Sequence, residues 1–211
     1  MKIIVIEDQT MIRELLVLAC RQAVPGVDAR SAASGADGLA LCRELQPEIA
    51  LVDLVLPDCD GLELAGKILA ESPDTRIIAL SSHTDDVTLH RALASRIHGF
   101  VDKNEQTLDV LGAAIAAVRA GRPYYSSVAE RARAALKRDP AAFNKILSDR
   151  EQELVALFGR GLTNEEVAAQ TQLTPHTVKN HRRNIMGKLG VHSTPQLIHY
   201  AIEKGFTRVG R

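Results

Sequence analysis

The sequence has few aromatic and few sulfur-containing residues. Its 211 residues include no tryptophan, and its seven phenylalanine and tyrosine residues all lie at or after Phe100. Pockets for small apolar ligands are usually lined by aromatic side chains, so the first 99 residues are poorly suited to form one. The three cysteines, Cys20, Cys42 and Cys59, show no CxxC spacing. This argues against a disulfide scaffold and a cysteine zinc site, and it favours a reducing cytoplasm.

Long apolar runs are also missing. No stretch approaches the roughly 18 apolar residues that a membrane span needs. Charges at Lys2, Glu7 and Asp8 interrupt the segment in which a signal peptide would have its apolar core. We therefore expect a cytoplasmic protein that has no membrane partner. The apolar fraction of 45% and the charged fraction of 25% are typical of folded soluble proteins.

The net charge of zero hides an uneven distribution along the chain. Residues 1–121 carry 11 Lys and Arg against 18 Asp and Glu, residues 122–146 carry 6 against 2, and residues 147–211 carry 9 against 6. An acidic front joined to a basic rear indicates two modules, the second facing an anionic partner. We therefore predict an N-terminal domain over 1–121, a linker over 122–146 and a C-terminal domain over 147–211.

The first 121 residues alternate strand patterns with helix patterns. Short apolar, β-branched runs occur at 3–6, 49–52 and 77–80, with weaker candidates at 27–30 and 97–101. Helical patterns lie between and after them, at about 10–22, 35–45, 62–71, 85–95 and 106–120. Apolar runs without polar alternation are typical of parallel strands that are covered on both faces. Five βα units in succession predict an α/β fold with a doubly wound parallel sheet.

The rear of the chain has a purely helical pattern. In the linker, the Ala- and Arg-rich stretch from 128 to 137 favours a helix that ends before Asp139 and Pro140. Four helix starts follow, at the capping boxes Ser148 to Glu151 and Thr163 to Glu166, at Thr174 with Pro175, and at Ser193 to Gln196. The last helix is expected to run to about Lys204. Four short helices with a tight turn before the third predict an all-α helix-turn-helix domain.

Polar side chains follow four of the predicted strands. They are Glu7 and Asp8 after the first strand, Asp53 after the third, Ser81, Ser82 and His83 after the fourth, and Lys103 after the fifth. In an open α/β sheet, ligands bind outside the carboxyl ends of the strands, so these side chains are expected to lie together. Neighbouring carboxylates repel one another unless a cation joins them, and Mg²⁺ prefers such oxygen ligands.

This arrangement suits phosphoryl transfer, which depends mainly on positioning and on charge neutralisation. Asp53 would act as the nucleophile toward a phosphoryl group. Mg²⁺ and Lys103 would balance the phosphoryl charge, and the Ser81 hydroxyl would donate a hydrogen bond to a phosphoryl oxygen.

The segments that hold these residues resemble the receiver domain of two-component response regulators. They are Ile6-Glu7-Asp8, Val52-Asp53-Leu54-Val55-Leu56-Pro57 with Asp60-Gly61, Ala79-Leu80-Ser81-Ser82, and Gly99-Phe100-Val101-Asp102-Lys103. The resemblance implies a flavodoxin-like strand order 2-1-3-4-5 and a phosphoacceptor at Asp53. It also implies Mg²⁺ binding by Glu7, Asp8, Asp53 and the Val55 carbonyl, and phosphoryl contact or switch roles for Ser81, Ser82, Phe100 and Lys103. The chain departs from the receiver pattern at Asn104, where many receivers have proline, and at Leu56, which replaces a frequent methionine.

Residues 148–206 resemble a LuxR-type helix-turn-helix domain, and the combination with a receiver resembles the NarL-like response regulators. When 175–190 is wound as a helix, Val178, Ile185 and Leu189 share one apolar face. The opposite face and its N-terminal turn offer donors for double-stranded DNA, because Lys and Arg suit guanine and Asn suits adenine. The candidate DNA-contacting residues are His176, Thr177, Lys179, Asn180 and Arg183. Arg182 is expected to lie near the apolar seam and to extend its charged end away from it.

We therefore expect a transcriptional response regulator. A sensor histidine kinase would phosphorylate Asp53, which would promote homodimerisation and binding to promoter half-sites, with RNA polymerase as a further candidate partner. The only chemistry expected is self-catalysed phosphoryl transfer and dephosphorylation, with Val55 and His83 beside the path of the hydrolytic water.

Two alternatives come from other classes. One is a LuxR-type regulator that responds to a small ligand, such as an acyl-homoserine lactone, and not to phosphorylation; the shortage of aromatics argues against it. The other is a phosphatase of the haloacid dehalogenase type. That chemistry would require an acid two residues after Asp53, where the chain has Val55.

Overall fold

The computed structural model describes residues 1–105 and 108–207. The chain divides into two compact units, Met1–Thr84 with Arg91–Arg131 and Asp85–His90 with Ala132–Arg211. The predicted domain limits at 121 and 147 rest on the sequence pattern and stay predictions. Among the described helices, none is both long and apolar enough to cross a membrane.

The first unit is built from alternating strands and helices. The strands are β1 (Lys2–Ile6), β2 (Asp28–Ala32), β3 (Ile49–Asp53), β4 (Arg76–Ser81), β5 (Gly99–Asp102) and β6 (Tyr124–Tyr125). The helices are α1 (Thr10–Ala23), α2 (Gly35–Leu45), α3 (Gly61–Glu71), α4 (Asp86–Ala94), which crosses the limit between the units, and α5 (Leu108–Arg119). A 3₁₀ turn covers Lys103–Glu105. The first two positions of the predicted fifth helix, 106 and 107, lie outside the described residues.

All six strands are parallel, in the order β2-β1-β3-β4-β5-β6. The doubly wound parallel sheet and the order 2-1-3-4-5 are therefore confirmed. Strand β6 was not predicted. It has only two residues, which pair with Gly99 and Phe100 at the sheet edge, and a run of that length has no periodicity to detect.

The sheet is covered on both faces, which explains its apolar strands. Ile3 through Ile6 are all fully buried, and alternate residues of a strand point to opposite faces. Ile3 and Val5 belong to a core that includes Leu16 of α1 and Ile115 of α5. On the other face, Gly38 of α2 lies so close to Ile6 that a β-carbon there would overlap its side chain.

Parallel pairing brings the carboxyl ends of the strands to one edge, where the loop after β3 folds back tightly. The Asp60 carboxylate caps α3 by accepting hydrogen bonds from the N–H groups of Leu62 and Glu63, at 2.9 and 3.2 Å. A β-carbon at Gly61 would lie 2.1 Å from the Asp53 carbonyl oxygen and 2.6 Å from the Leu54 α-carbon. Glycine is therefore required here by the close approach of the strand end that carries Asp53.

The second unit is helical in its described part. Its helices are α6 (Ser127–Arg138), which crosses the limit between the units, α7 (Phe143–Ile146), α8 (Asp149–Gly159), α9 (Asn164–Thr171), α10 (Pro175–Leu189) and α11 (Thr194–Lys204). Both predicted capping boxes are present, at Ser148 with Glu151 and at Thr163 with Glu166. The helix predicted in the linker is α6, whereas the single turn α7 was not predicted. The final residues of the predicted C-terminal domain, 208–211, lie outside the described residues.

The core of the second unit determines which face of α10 is exposed. Val178 and Ile185 are fully buried with Phe158 of α8, and Leu189 is partly buried beside them. Gln172 ends α9 in the left-handed region, with φ of 58°, and so turns the chain sharply into α10. The predicted helix-turn-helix domain and its apolar face are thus confirmed.

The contact at Gly61 leads to a stability prediction. Gly61→Ala should lower the free energy of unfolding by about 1–3 kcal/mol, because the new methyl group must displace backbone atoms. Gly66→Ala is the matched control, since this residue lies in the same helix and a β-carbon there meets no atom within 4 Å. That control should be neutral or stabilising by up to about 1 kcal/mol through helix propensity. Urea unfolding checks both, and equal effects would contradict the close approach.

Candidate metal centre and nucleic-acid interface

Three carboxylates meet at the carboxyl edge of the sheet. Glu7 and Asp8 follow β1, and Asp53 is the last residue of β3. One carboxylate oxygen from each lies within 4.8 Å of the others. Glu7 and Asp53 are buried, whereas Asp8 is exposed. The sheet register, rather than proximity in sequence, therefore creates this acidic cluster.

Lys103 supplies the balancing charge. Its Nζ lies 2.6 Å from Glu7 Oε2 and 2.7 Å from Asp53 Oδ2. The lysine side chain is only 7% exposed, so both ion pairs are largely shielded from water. Burial by itself would lower the pKa of Lys103, but the two carboxylates hold that pKa above its ordinary value. The lysine therefore stays charged between them.

Glu7 behaves differently from an exposed acid. Burial raises the pKa of Glu7 above its ordinary value; the Lys103 ammonium opposes this, and the Asp53 charge adds to it. The Glu7 backbone is also fixed, because Arg13 Nη1 donates to the carbonyl oxygens of Glu7 and Asp8, at 2.8 and 3.0 Å. Arg13 was missed by the sequence analysis, since nothing in the pattern of α1 distinguishes it from a surface arginine.

The donor set fits a hard divalent cation. All three groups offer carboxylate oxygens, as Mg²⁺ prefers, and Asp8 provides the exposed side from which an ion and its waters can enter. The Asp53 carboxylate is also fixed in direction, because Oδ1 accepts a hydrogen bond from the Val55 N–H at 3.0 Å. Chemically, the cluster can bind a cation and present one carboxylate oxygen of Asp53 to an electrophile.

The remaining predicted residues of this site lie on β4, on β5 and in the loops that follow β3 and β4. Ser81 is buried at the end of β4; its hydroxyl donates to the His83 carbonyl and accepts from the His83 N–H, both at 3.0 Å. Ser82 is exposed, Val55 is 41% exposed, and Phe100 is fully buried in β5. In this structure the Ser81 hydroxyl is therefore engaged by its own loop.

Asn104, which the sequence marks as a departure from the receiver pattern, makes an unexpected connection. Its Nδ2 donates to the Ser82 carbonyl at 2.9 Å and to Asp102 Oδ1 at 3.0 Å. Its backbone N–H donates to the same Asp102 oxygen at 2.8 Å. The side chain thus joins the end of β4 to the end of β5.

In the second unit, the cationic side chains of α10 fall into two groups. Arg182 lies over the Phe158 ring at 4.4 Å and donates to Asn164 Oδ1 at 3.2 Å, so it stabilises its own domain. Lys188 pairs with Glu151 of α8 at 2.7 Å. Lys179 and Arg183 are exposed on the other side of the helix. Arg182 lies at the apolar seam as expected. The expectation that its charged end extends away from the seam is wrong, because the guanidinium packs on the fully buried Phe158 ring.

The exposed face of α10 includes the predicted DNA-contacting residues. His176 is exposed like Lys179 and Arg183, while Asn180 and Thr177 are half-buried. The Thr177 hydroxyl lies 2.8 Å from that of Thr174, the residue that caps the helix. Thr177 is therefore already engaged in the helix cap. The exposed side chains of His176, Lys179 and Arg183 form the outer part of this surface.

Comparisons with known proteins identify both domains. Residues 3–115 match the model of the response regulator receiver domain, and residues 145–201 match that of the bacterial regulatory proteins of the luxR family. The receiver match favours this domain over the two alternative N-terminal domains. Response regulator protein VraR of Staphylococcus aureus is 30% identical over 171 residues, which are 81% of each chain.

Solved structures resemble 65% to 97% of the chain. RcsB from Salmonella enterica serovar Typhimurium, bound to promoter P1flhDC with the phosphomimetic BeF₃⁻, has a TM-score of 0.67 at 20% identity, covering 97% of this chain and 98% of that one. A LuxR-family two-component response regulator from Aurantimonas sp. SI85-9A1 has a TM-score of 0.61 at 26% identity, covering 65% of this chain and 98% of that one. The RcsB likeness supports the fold, and the receiver match and the VraR relative establish the family. The chain belongs to the NarL-like response regulators, in which a receiver domain precedes a LuxR-type helix-turn-helix domain.

Proposed function

We propose that this response regulator controls transcription through phosphorylation of Asp53 by a sensor histidine kinase. The receiver would occupy 1–121, the linker 122–146 and the DNA-binding domain 147–211. One observation carries the proposal: the buried Lys103 ammonium pairs with both Asp53 and Glu7, beside Asp8. A nucleophilic carboxylate, a fixed cation and an acidic metal site are the groups that phosphoryl transfer to a carboxylate requires.

The transfer would proceed by in-line displacement. A carboxylate oxygen of Asp53 forms a P–O bond while the P–N bond to the phosphorylated kinase histidine breaks. The bonding electron pair stays on the imidazole nitrogen, and an aspartyl phosphate is left on the regulator. With acetyl phosphate as the donor, a P–O bond breaks instead and acetate leaves.

Each residue of the site has a proposed part in this step. Asp8, Asp53 and the Val55 carbonyl would hold Mg²⁺ directly, and Glu7 would act through a water molecule. The bound ion would neutralise charge on the phosphoryl oxygens. Lys103 would hold another phosphoryl oxygen, because its ammonium already lies 2.7 Å from Asp53.

The switch would follow from the added charge. Phosphorylation adds about −1.5 to −2 at neutral pH, which would draw the Ser81 hydroxyl away from the His83 carbonyl toward a phosphoryl oxygen. Ser82, the next residue, would be a further phosphoryl contact. The movement of the Ser81 hydroxyl would repack Phe100. A change in receiver packing would then promote the homodimer.

The lifetime of the phosphoryl group should be long. Val55 and His83 are proposed to flank the path of the hydrolytic water, and the valine side chain cannot orient that water by hydrogen bonding. We expect the purified phosphoprotein to retain its label for minutes or longer in Mg²⁺-containing buffer, as measured by mass spectrometry over time. Complete loss within seconds would contradict this role.

Asp53→Asn should abolish labelling by acetyl phosphate and Mg²⁺ without unfolding the receiver, because the amide keeps the shape and loses the nucleophilic charge. Mass spectrometry of the intact protein measures the adduct. Asp58→Asn is the matched control: Asp58 lies in the loop that follows Asp53, but it accepts hydrogen bonds from the N–H groups of Gly35 and Ala36, at 2.9 and 3.0 Å. Normal labelling of Asp53→Asn would show that the nucleophile has been assigned wrongly.

DNA recognition is assigned to α10. Its partner would be double-stranded promoter DNA, with a dimer binding two half-sites about one helical turn apart and RNA polymerase as a further partner. Lys179, Asn180 and Arg183 would enter the major groove, with His176 and Thr177 at its edge near the backbone. Lys179 and Arg183 are four residues apart, so their side chains point the same way.

The Lys179→Ala/Asn180→Ala/Arg183→Ala variant should lose specific binding. Removal of a base-reading residue alone, as in Asn180→Ala or Arg183→Ala, should cost about 1–3 kcal/mol and relax the preference at one position. A lost phosphate contact would instead weaken all sequences alike and reduce the salt slope by about one. Titrations of a selected operator and of scrambled DNA at several salt concentrations distinguish these effects.

Arg150→Ala serves as the control for this set. Arg150 donates to the Thr171 carbonyl and pairs with Glu153, so its loss should leave operator affinity nearly unchanged. If the triple variant bound the operator as tightly as the wild-type protein does, α10 would not be the recognition helix.

A further inference from the structure

The hydrogen bonds of Asn104 form a bridge across two strand ends. Ser81 of β4 lies opposite Asp102 of β5 in the sheet register. Asn104 Nδ2 donates both to Asp102 Oδ1 and to the carbonyl oxygen of Ser82, the residue after Ser81. The backbone N–H of Asn104 donates to Asp102 as well. One side chain therefore connects the two loops that follow these strands.

The residues on either side of this bridge belong to the phosphoryl site. Lys103 lies in the chain between Asp102 and Asn104, and its Nζ is held between two carboxylates. Ser81 directly precedes the carbonyl group that the Asn104 side chain binds. Because Asp102 is only 4% exposed, the bridge is anchored on a buried carboxylate and not on a mobile surface group.

The chemistry of the bridge depends on the amide. An asparagine side chain supplies two N–H donors, and here one amide nitrogen satisfies two acceptors. A proline at this position would have neither a side-chain donor nor a backbone N–H. The bridge therefore depends on the asparagine at position 104, where this chain departs from the receiver pattern.

We propose that Asn104 is a positioning residue for phosphoryl transfer, which keeps Lys103 and Ser81 at a fixed spacing on the edge that carries Asp53. It touches neither Asp53 nor the phosphoryl group and acts through its neighbours. This inference rests on the proposed function. Preorganised charges and donors contribute to the rate only when they are held where the transition state needs them.

Two variants test the bridge. Asn104→Asp keeps the shape but replaces the donor with a carboxylate that faces two acceptors, and Asn104→Ala removes the side-chain bonds while keeping the backbone N–H. In both, the maximal rate of phosphorylation by acetyl phosphate should fall roughly tenfold, with little change in the acetyl phosphate concentration that gives half-maximal rate. Gln22→Ala, which removes an exposed amide on α1, should match the wild-type protein.

Two further readouts separate positioning from a general loosening of the domain. The Mg²⁺ affinity, measured by calorimetry, should be unchanged, because the proposed metal ligands lie at the end of β3 and in the loops that follow β1 and β3. Hydrogen exchange, measured without Mg²⁺ or phosphodonor, should increase at residues 82–83 and 103–104 and stay normal in the strands.

The outcomes are distinct. Wild-type labelling at Asp53 with unchanged rates in both variants would overturn the role of Asn104 and leave the proposed function standing. A fall in Mg²⁺ affinity that parallels the fall in rate would also overturn it, since the effect would then be general. Failure of the wild-type protein to be labelled would overturn both proposals.

Discussion

The pairing of Lys103 with Glu7 and Asp53 is the interaction on which the receiver site depends. Two buried carboxylates beside a third would repel one another, and burial makes each charge costly unless it is paired. The lysine makes the cluster tolerable while leaving the exposed Asp8 side open to a cation. Three other features support that geometry. The sheet register brings the strand ends together, Gly61 lets the loop after β3 fold back against Asp53, and Arg13 binds the backbone carbonyls of Glu7 and Asp8.

In the second unit, some cationic side chains of α10 pair within the domain and others are exposed to solvent. Arg182 and Lys188 are held by partners within the helical domain. Lys179 and Arg183, on the other side of α10, remain on the surface. A helix with this division of charge has one side for packing and one side for an anionic partner. The acidic front and basic rear of the sequence therefore correspond to two different electrostatic environments within one chain.

Much of this architecture could be predicted because it depends on local patterns. The apolar runs identify the central strands, and the capping boxes at Ser148 and Thr163 mark where α8 and α9 begin. The convergence of Glu7, Asp8, Asp53 and Lys103 could also be predicted, because parallel strands share a carboxyl edge. Strand β6 and the single turn α7 are too short to show a period. The contacts of Arg13 and Asn104 depend on the positions of carbonyl groups and loops that no sequence spacing specifies.

We propose that a phosphoryl group on Asp53 controls DNA binding by α10. The most direct measurement is the affinity for a fluorescently labelled operator, by anisotropy, with and without acetyl phosphate and Mg²⁺, for the wild-type protein and for Asp53→Asn. If the two sites are coupled as proposed, phosphodonor should tighten wild-type binding by about 5- to 150-fold, the usual range of allosteric coupling, and should leave Asp53→Asn unchanged. Equal operator affinity of the phosphorylated and unphosphorylated wild-type protein would contradict this coupling.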